Sequence, residues 1–232
     1  MGHVPAVRIV KVGTICLEPS EPASAFTQTI KSELGIGGGS TVTLLQADRR
    51  ILVDTGFDRE WLDTAGNNQT NAADITRDLK TQRMTPDDVD AVFITHWHRD
   101  HFGNLDVFRK AERVASKNLA ARFGLDDFRG VSDGDEIAEG VRALFTPGHT
   151  IDHVSLVVDC VLGDVRARVA IAGDAVVSHS YFQSGRIWQY NTDFYDGRAA
   201  NESVLRLVGH SDIIIPGHGA PFMTYRPEWL EL

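Results

Sequence analysis

Apolar positions along this chain fall into short runs, and most runs stop at a glycine, a proline or a charged group. Val7 to Leu17 alternates loosely and is rich in Val and Ile, which predicts a strand. Glu18 to Gly39 carries Pro19, Pro22, Gly35, Gly37 and Gly38 and predicts a long loop with a short helical turn near Phe26 to Leu34. A loop of that length in a compact domain is a candidate cover for a site. Thr41–Gln46 and Ile51–Val53 predict a hairpin turning through Ala47-Asp48-Arg49. Ala72, Ile75, Leu79 and Gln82 carry helical spacing over Asn71–Met84, and Thr85-Pro86 stops it.

Ala91–Thr95 reads as a buried strand and Leu119–Phe123 as a short helix. Strands are predicted at Val141–Phe145, Val154–Val158 and Arg166–Ala172, a helix at Gly197–Val208, and a last strand at Ile213–Ile215, cut off by Pro216. Groups of strands interrupted by helices predict a mixed α/β fold with layered packing. With no repeat, low-complexity tract or linker, residues 1–232 are read as one domain.

Composition narrows the classes. Hydrophobic residues make up 42% of the 232, enough for a substantial core. No apolar run reaches the ~18 residues that a membrane span needs. Met1-Gly2-His3-Val4-Pro5 lacks the basic and apolar regions of a signal peptide, so a soluble cytoplasmic protein is expected. Cys16 and Cys160 read as free thiols with no part in chemistry. The net charge of −9 and the lack of any basic cluster argue against a nucleic-acid partner. An aromatic stretch, Tyr181 to Asn191, reads as a loop forming a pocket wall, a core plug or a homodimer contact.

The chemistry concentrates in Thr95-His96-Trp97-His98-Arg99-Asp100-His101, directly behind a buried strand. Crowding imidazoles and carboxylates at a strand's end has little structural use, and its natural purpose is metal binding. Four other segments share this grammar: an apolar strand, a glycine or proline, and one strong ligand. They end in Asp54, His149, Asp174 and His218. Glycine lets the backbone turn tightly there, so each rigid strand can aim one side chain at a fixed point.

The His-x-His-x-Asp-His segment, with Asp54 before it and His149, Asp174 and His218 after it, resembles the metallo-β-lactamase superfamily over roughly residues 40–222. The resemblance implies a four-layer αβ/βα sandwich with two metal ions at the sheet edges. It implies that His96, His98 and His149 bind one ion, that Asp100, His101 and His218 bind the other, and that Asp174 bridges them. Asp54 would support the ligands from behind. Imidazoles with few carboxylates suit zinc, with iron or manganese as alternatives. Two such ions would yield a hydroxide near neutral pH, with Asp100 orienting it and passing its proton on.

The implied activity is hydrolysis of a small ester, lactone, thioester or amide. The alternatives within the fold are a phosphodiesterase or ribonuclease and a mononuclear-iron persulfide dioxygenase. Class B1 and B2 β-lactamases carry cysteine where this chain has Asp174, and acyl-homoserine lactonases carry tyrosine near the position of Val177, with Tyr181 a substitute. His179 is a candidate substrate contact, whereas His153 reads as the start of the next strand. Trp97 and Phe102 are expected to pack beneath the ligands.

Overall fold

Alternation with period two divides the residues of the first sheet between two interiors. The computed structural model describes residues 4–21, 23–24, 27, 39–56 and 65–224. In that sheet β1 (Ala6–Lys11), β2 (Val42–Gln46) and β3 (Arg50–Val53) run antiparallel. β4 (Ala91–Phe93), β5 (Glu112–Ser116) and β6 (Phe128–Val131) then continue in parallel from β3. Leu45, Ile51, Val53, Ala91 and Phe93 face the second sheet. Their neighbours Leu44, Leu52 and Val92 face outward onto Ile75 and Leu79 of α1 (Ala65–Thr81). Successive strand side chains point to opposite faces, so both faces must be covered.

The second sheet has the order β12 (Phe222–Met223), β11 (Ile213–Pro216), β10 (Val165–Gly173), β9 (Val154–Leu162), β8 (Val141–Phe145) and β7 (Glu136–Ala138). Val141, Leu156, Val158, Val169, Ile171 and Ile215 meet the first sheet. Leu144, Val157, Ala170 and Ile214 pack outward under α4 (His179–Ser184) and α5 (Gly197–His210), through Phe182, Val204 and Leu207. The result is the expected sandwich: helix, sheet, sheet, helix. Fully burying a side chain such as Phe93 stabilises the fold by about 3 kcal/mol.

Several boundaries differ from the sequence reading. The first strand stops at Lys11 rather than Leu17. At Gly13 the chain passes so close to Gly39 and Thr41 that a Cβ would collide with their backbone, and Gly13 N–H donates to Thr41 Oγ1. The strands β5, β6 and β7 went unread because charged residues interrupt their apolar pattern. The stretch read as an aromatic loop begins with α4, capped where Ser178 Oγ accepts from Tyr181 N–H and stopped by Gly185 at φ 66°. A helical turn expected near 26–34 lies outside the described residues, apart from Thr27. No helix among the described residues is long and apolar enough to cross a membrane.

Candidate metal centre

Strand direction collects the site. Within the first sheet β3 and β4 are parallel. In the second sheet β10 and β11 are parallel, and β8 runs with them because both β8 and β10 are antiparallel to β9. Asp54 follows β3 and the segment of His96 to His101 follows β4. His149 follows β8, Asp174 follows β10 and His218 follows β11. A short helix, α2 (Arg99–Phe102), turns Asp100 and His101 inward.

Two ligand clusters result. His96, His98, His149 and Asp174 each offer one ligand atom within 4.8 Å of the others, and so do Asp100, His101 and His218. In the first, His98 Nδ1 lies 2.9 Å from His96 Nε2 and 3.1 Å from His149 Nε2. Asp174 Oδ2 lies 3.3 Å from His149 Nε2. In the second, Asp174 Oδ1 lies 3.3 Å from His101 Nε2 and 3.4 Å from His218 Nε2, and Asp100 Oδ2 lies 3.2 Å from His218 Nε2. One carboxylate therefore turns an oxygen to each cluster.

Hydrogen bonds behind the rings set which nitrogen points inward. His101 Nδ1–H donates to Asp54 Oδ2 at 2.7 Å, which leaves Nε2 facing the cluster. Thr95 Oγ1–H donates to Asp54 Oδ2, so the same hydroxyl accepts from His96 Nδ1–H. His218 Nδ1–H is held by the carbonyls of Thr14 and Gly39, both at 3.0 Å. That explains why the chain leaves β1 early: its next turn supplies a ligand's support. Such outer partners fix tautomer and ring orientation.

Electrostatics separate the clusters. Burial, joined by the charges of His101 and His98, pushes His96 well below the usual histidine range, and burial lowers His149 to about 4. Burial also works against charge on His101 and His218, but carboxylates outweigh it. Asp100, Asp54 and Asp174 hold His101 well above its ordinary value, and Asp174 and Asp100 draw His218 up to about 10. Asp174 is likewise buried, yet the nearby rings hold it well below the carboxylate range. The field that favours protons on these rings also favours a divalent cation.

The donor set fits such a cation. Buried polar atoms normally find hydrogen-bond partners, yet His101 Nε2 and Asp174 Oδ1 are buried, close to each other, and make no hydrogen bond. Mixed imidazole and carboxylate donors aimed into a shared space match zinc-type coordination. At Gly217 a methyl group would overlap Asp174 Oδ1, so the chain leaves room for the carboxylate at this point.

A cleft of about 660 Å³ opens over both clusters. Its walls include Trp97, Phe102, Phe123, Trp188 and Tyr190, with Arg99 and Arg122 as cationic groups. Trp97 and Phe102 stack at 4.0 Å between ring centres and line the cleft as well as packing beside the ligands. His153 is buried with Nδ1 on Thr146 Oγ1, at the start of β9 as expected. His179 heads α4 and stacks on Phe222 at 4.3 Å, outside the residues that line the cleft. Tyr181 is buried against Trp188 and lines a smaller adjoining cavity, where burial pushes its phenol up. Sequence reasoning missed Thr14, Cys16 and Arg122 around the cleft, and it gave no role to Asp193. No local motif marks them, because their neighbours in space come from distant parts of the chain.

Comparison with known proteins bears on the whole arrangement. The family described as Metallo-beta-lactamase superfamily matches residues 35–218. Metallo-beta-lactamase domain-containing protein 1 of Xenopus laevis is 32% identical over 204 residues, covering 87% of this chain and 79% of its own. Its Mus musculus counterpart is 34% identical over 193 residues, covering 82% and 67%. Among solved structures, an N-acyl homoserine lactone hydrolase with its product bound at the catalytic metal center superposes with a TM-score of 0.64. It is 20% identical, and the match covers 94% of each chain, so the fold is what the two share.

Proposed function

The chain belongs to the metallo-β-lactamase superfamily of metallohydrolases, and from that premise we propose that it is a dinuclear zinc hydrolase of small carbonyl substrates: esters, lactones, thioesters or amides. The observation that carries this reading is Asp174, whose two oxygens face different ligand clusters. His96, His98 and His149 would hold one ion, Asp100, His101 and His218 the other, with Asp174 shared. Divalent ions there would supply Lewis acidity, ionising a water near neutral pH and polarising the substrate's oxygen.

The chain's own groups do the rest. Asp100 faces the cluster from α2; without an ion, the charges on His101 and His218 lower its carboxyl against the effect of burial, and an ion held by those rings would supply the positive charge in their place. The Asp100 carboxylate can accept a proton from an attacking water and hold it for the leaving group. Asp54 fixes His101 and Thr95 and has no contact with substrate in this scheme. The cleft has the volume and the mixed apolar and polar lining of a small-molecule site. Aromatic walls would seat an apolar part of the substrate while the polar floor receives the carbonyl.

Elemental analysis of purified, metal-replete protein beside a hydrolase screen tests the reading. Lactones, thioesters, β-lactams and phosphodiesters belong in that screen. About two ions per chain and turnover of a carbonyl substrate are expected. Less than half an ion per chain, or turnover of phosphodiesters alone, would overturn it.

A further inference from the structure

We infer that Asp193 is a positioning residue for His98, and that it decides which nitrogen this ring turns toward the first cluster. This rests on the reading of that cluster as a metal site. Asp193 Oδ1 lies 2.9 Å from His98 Nε2. An ionised carboxylate can only accept, so Nε2 carries the hydrogen. In the neutral ring, Nδ1 is then left with its lone pair, and Nδ1 is the atom that faces His96 and His149.

His98 differs from the other rings in how it is held. The rings of His96, His101 and His218 are fixed by groups from the first sheet or the chain around it: Thr95, Asp54, Thr14 and Gly39. The ring of His98 is fixed by a residue ninety-five positions downstream, between α4 and α5. Asp193 is itself braced. Asn191 Nδ2 donates both to Asp193 Oδ1 at 2.9 Å and to the carbonyl of His149 at 3.0 Å. Arg122 Nη2 lies 3.8 Å from the other oxygen of Asp193, while Arg122 Nη1 donates to buried Asp152 at 3.0 Å. One strut thus joins two rings of the same cluster, His98 by its side chain and His149 by its backbone. A carboxylate behind a metal-facing histidine is a recurrent way to fix its tautomer and raise its basicity.

The test reads the ring and the metal separately. In ¹⁵N-labelled, metal-free protein in mildly alkaline buffer, His98 should show the Nε2–H tautomer. Asp193→Ala should move it toward a mixture and lower Zn²⁺ affinity about 10–100-fold. Asp193→Asn keeps an oxygen that can accept from Nε2–H and should restore the wild-type tautomer with most of the affinity. A purely structural role would change the melting temperature and leave the tautomer alone. An unchanged tautomer and unchanged affinity in folded Asp193→Ala would overturn the inference. Should that variant not fold, the similarly sized Asp193→Leu, which cannot accept from Nε2–H, takes its place, and an unchanged tautomer there would overturn the inference equally. Failure of wild-type protein to bind zinc would instead sink the metal-site reading, and the tautomer measurement would still report on Asp193.

Discussion

Asp54 Oδ2 accepts from His101 Nδ1–H at 2.7 Å, and this contact joins the end of β3 to a ring of the second ligand cluster. The same carboxylate accepts from Thr95 N–H and Thr95 Oγ1–H, each at 2.9 Å. Asp54 also holds φ at 57°, a left-handed conformation that costs a non-glycine residue about 1–2 kcal/mol. Strain of this kind persists where the surroundings over-determine it.

Asp54→Ala leaves three buried donors without their acceptor. We expect a loss of about 3 kcal/mol in urea unfolding and a protein that retains roughly half its metal, the second cluster being the one emptied. Asp54→Asn tolerates the left-handed backbone and keeps one accepting oxygen, so its loss should be smaller. Full metal content in Asp54→Ala would show that Asp54 caps the turn and does nothing for His101.

Much of this was legible beforehand, for a physical reason. Each ligand follows a buried strand, and buried strands announce themselves as short β-branched runs ending at glycine or proline, as in Ile213-Ile214-Ile215-Pro216-Gly217-His218. The central layers were legible for the same reason. What stayed hidden depends on encounters across the fold. Nothing near Asp193 in sequence indicates His98, and nothing near Thr14 indicates His218. Parallel strands such as β5, with Glu112 and Arg113 at its outer end, do not alternate cleanly enough to be read.

Gly217 offers a test of how tightly the shared carboxylate is held. Its N–H donates to the carbonyls of Gly173 and Val176, and a methyl on its Cα would overlap Asp174 Oδ1. Gly217→Ala should displace Asp174 and reduce bound metal in both clusters, seen by elemental analysis, with hydrolytic activity falling at least about tenfold. Gly124 ends α3 (Lys117–Phe123) at φ 63° with open space around it. Gly124→Ala should therefore cost about 1 kcal/mol of stability and leave metal content unchanged. Equal metal loss in both variants would point to general unfolding.

A pH effect on stability is expected from Asp133, far from the ligands. It accepts from Phe145 N–H at 2.7 Å and from Arg206 at 2.6 Å, tying α5 to the end of β8. Partial burial raises its pKa, but the bonds from Arg206 and Phe145 outweigh this and hold it below the usual value. A depressed folded pKa gives stability that is present above the unfolded value, about 3.9, and lost as pH falls through the folded one. Both partners are more than a third exposed, so solvent screening limits the contribution to about 1 kcal/mol or less. Asp133→Asn should thus lower the melting temperature at pH 7, with the difference shrinking below about pH 4. A gap of constant size down to pH 2 would mean that charge is not what Asp133 contributes.

His149 and His153 separate ligand from framework. Both rings are buried, and burial pushes both downward, His149 to about 4 and His153 well below the ordinary range. Only His149 reaches a cluster, with Nε2 at 3.1 Å from His98 Nδ1 and 3.3 Å from Asp174 Oδ2. His153 bonds Thr146 Oγ1, and that hydroxyl also meets Ser155, so it closes a polar patch between β8 and β9. His149→Ala should empty the first cluster and lower kcat/KM by about a thousandfold or more, roughly 4 kcal/mol of transition-state stabilisation. His153→Ala leaves a cavity and removes one of the two side-chain hydrogen bonds of Thr146, so it should lose about 2–4 kcal/mol of stability while binding its full complement of zinc. Loss of one zinc from a folded His153→Ala protein would place that ring, rather than His149, in the first cluster.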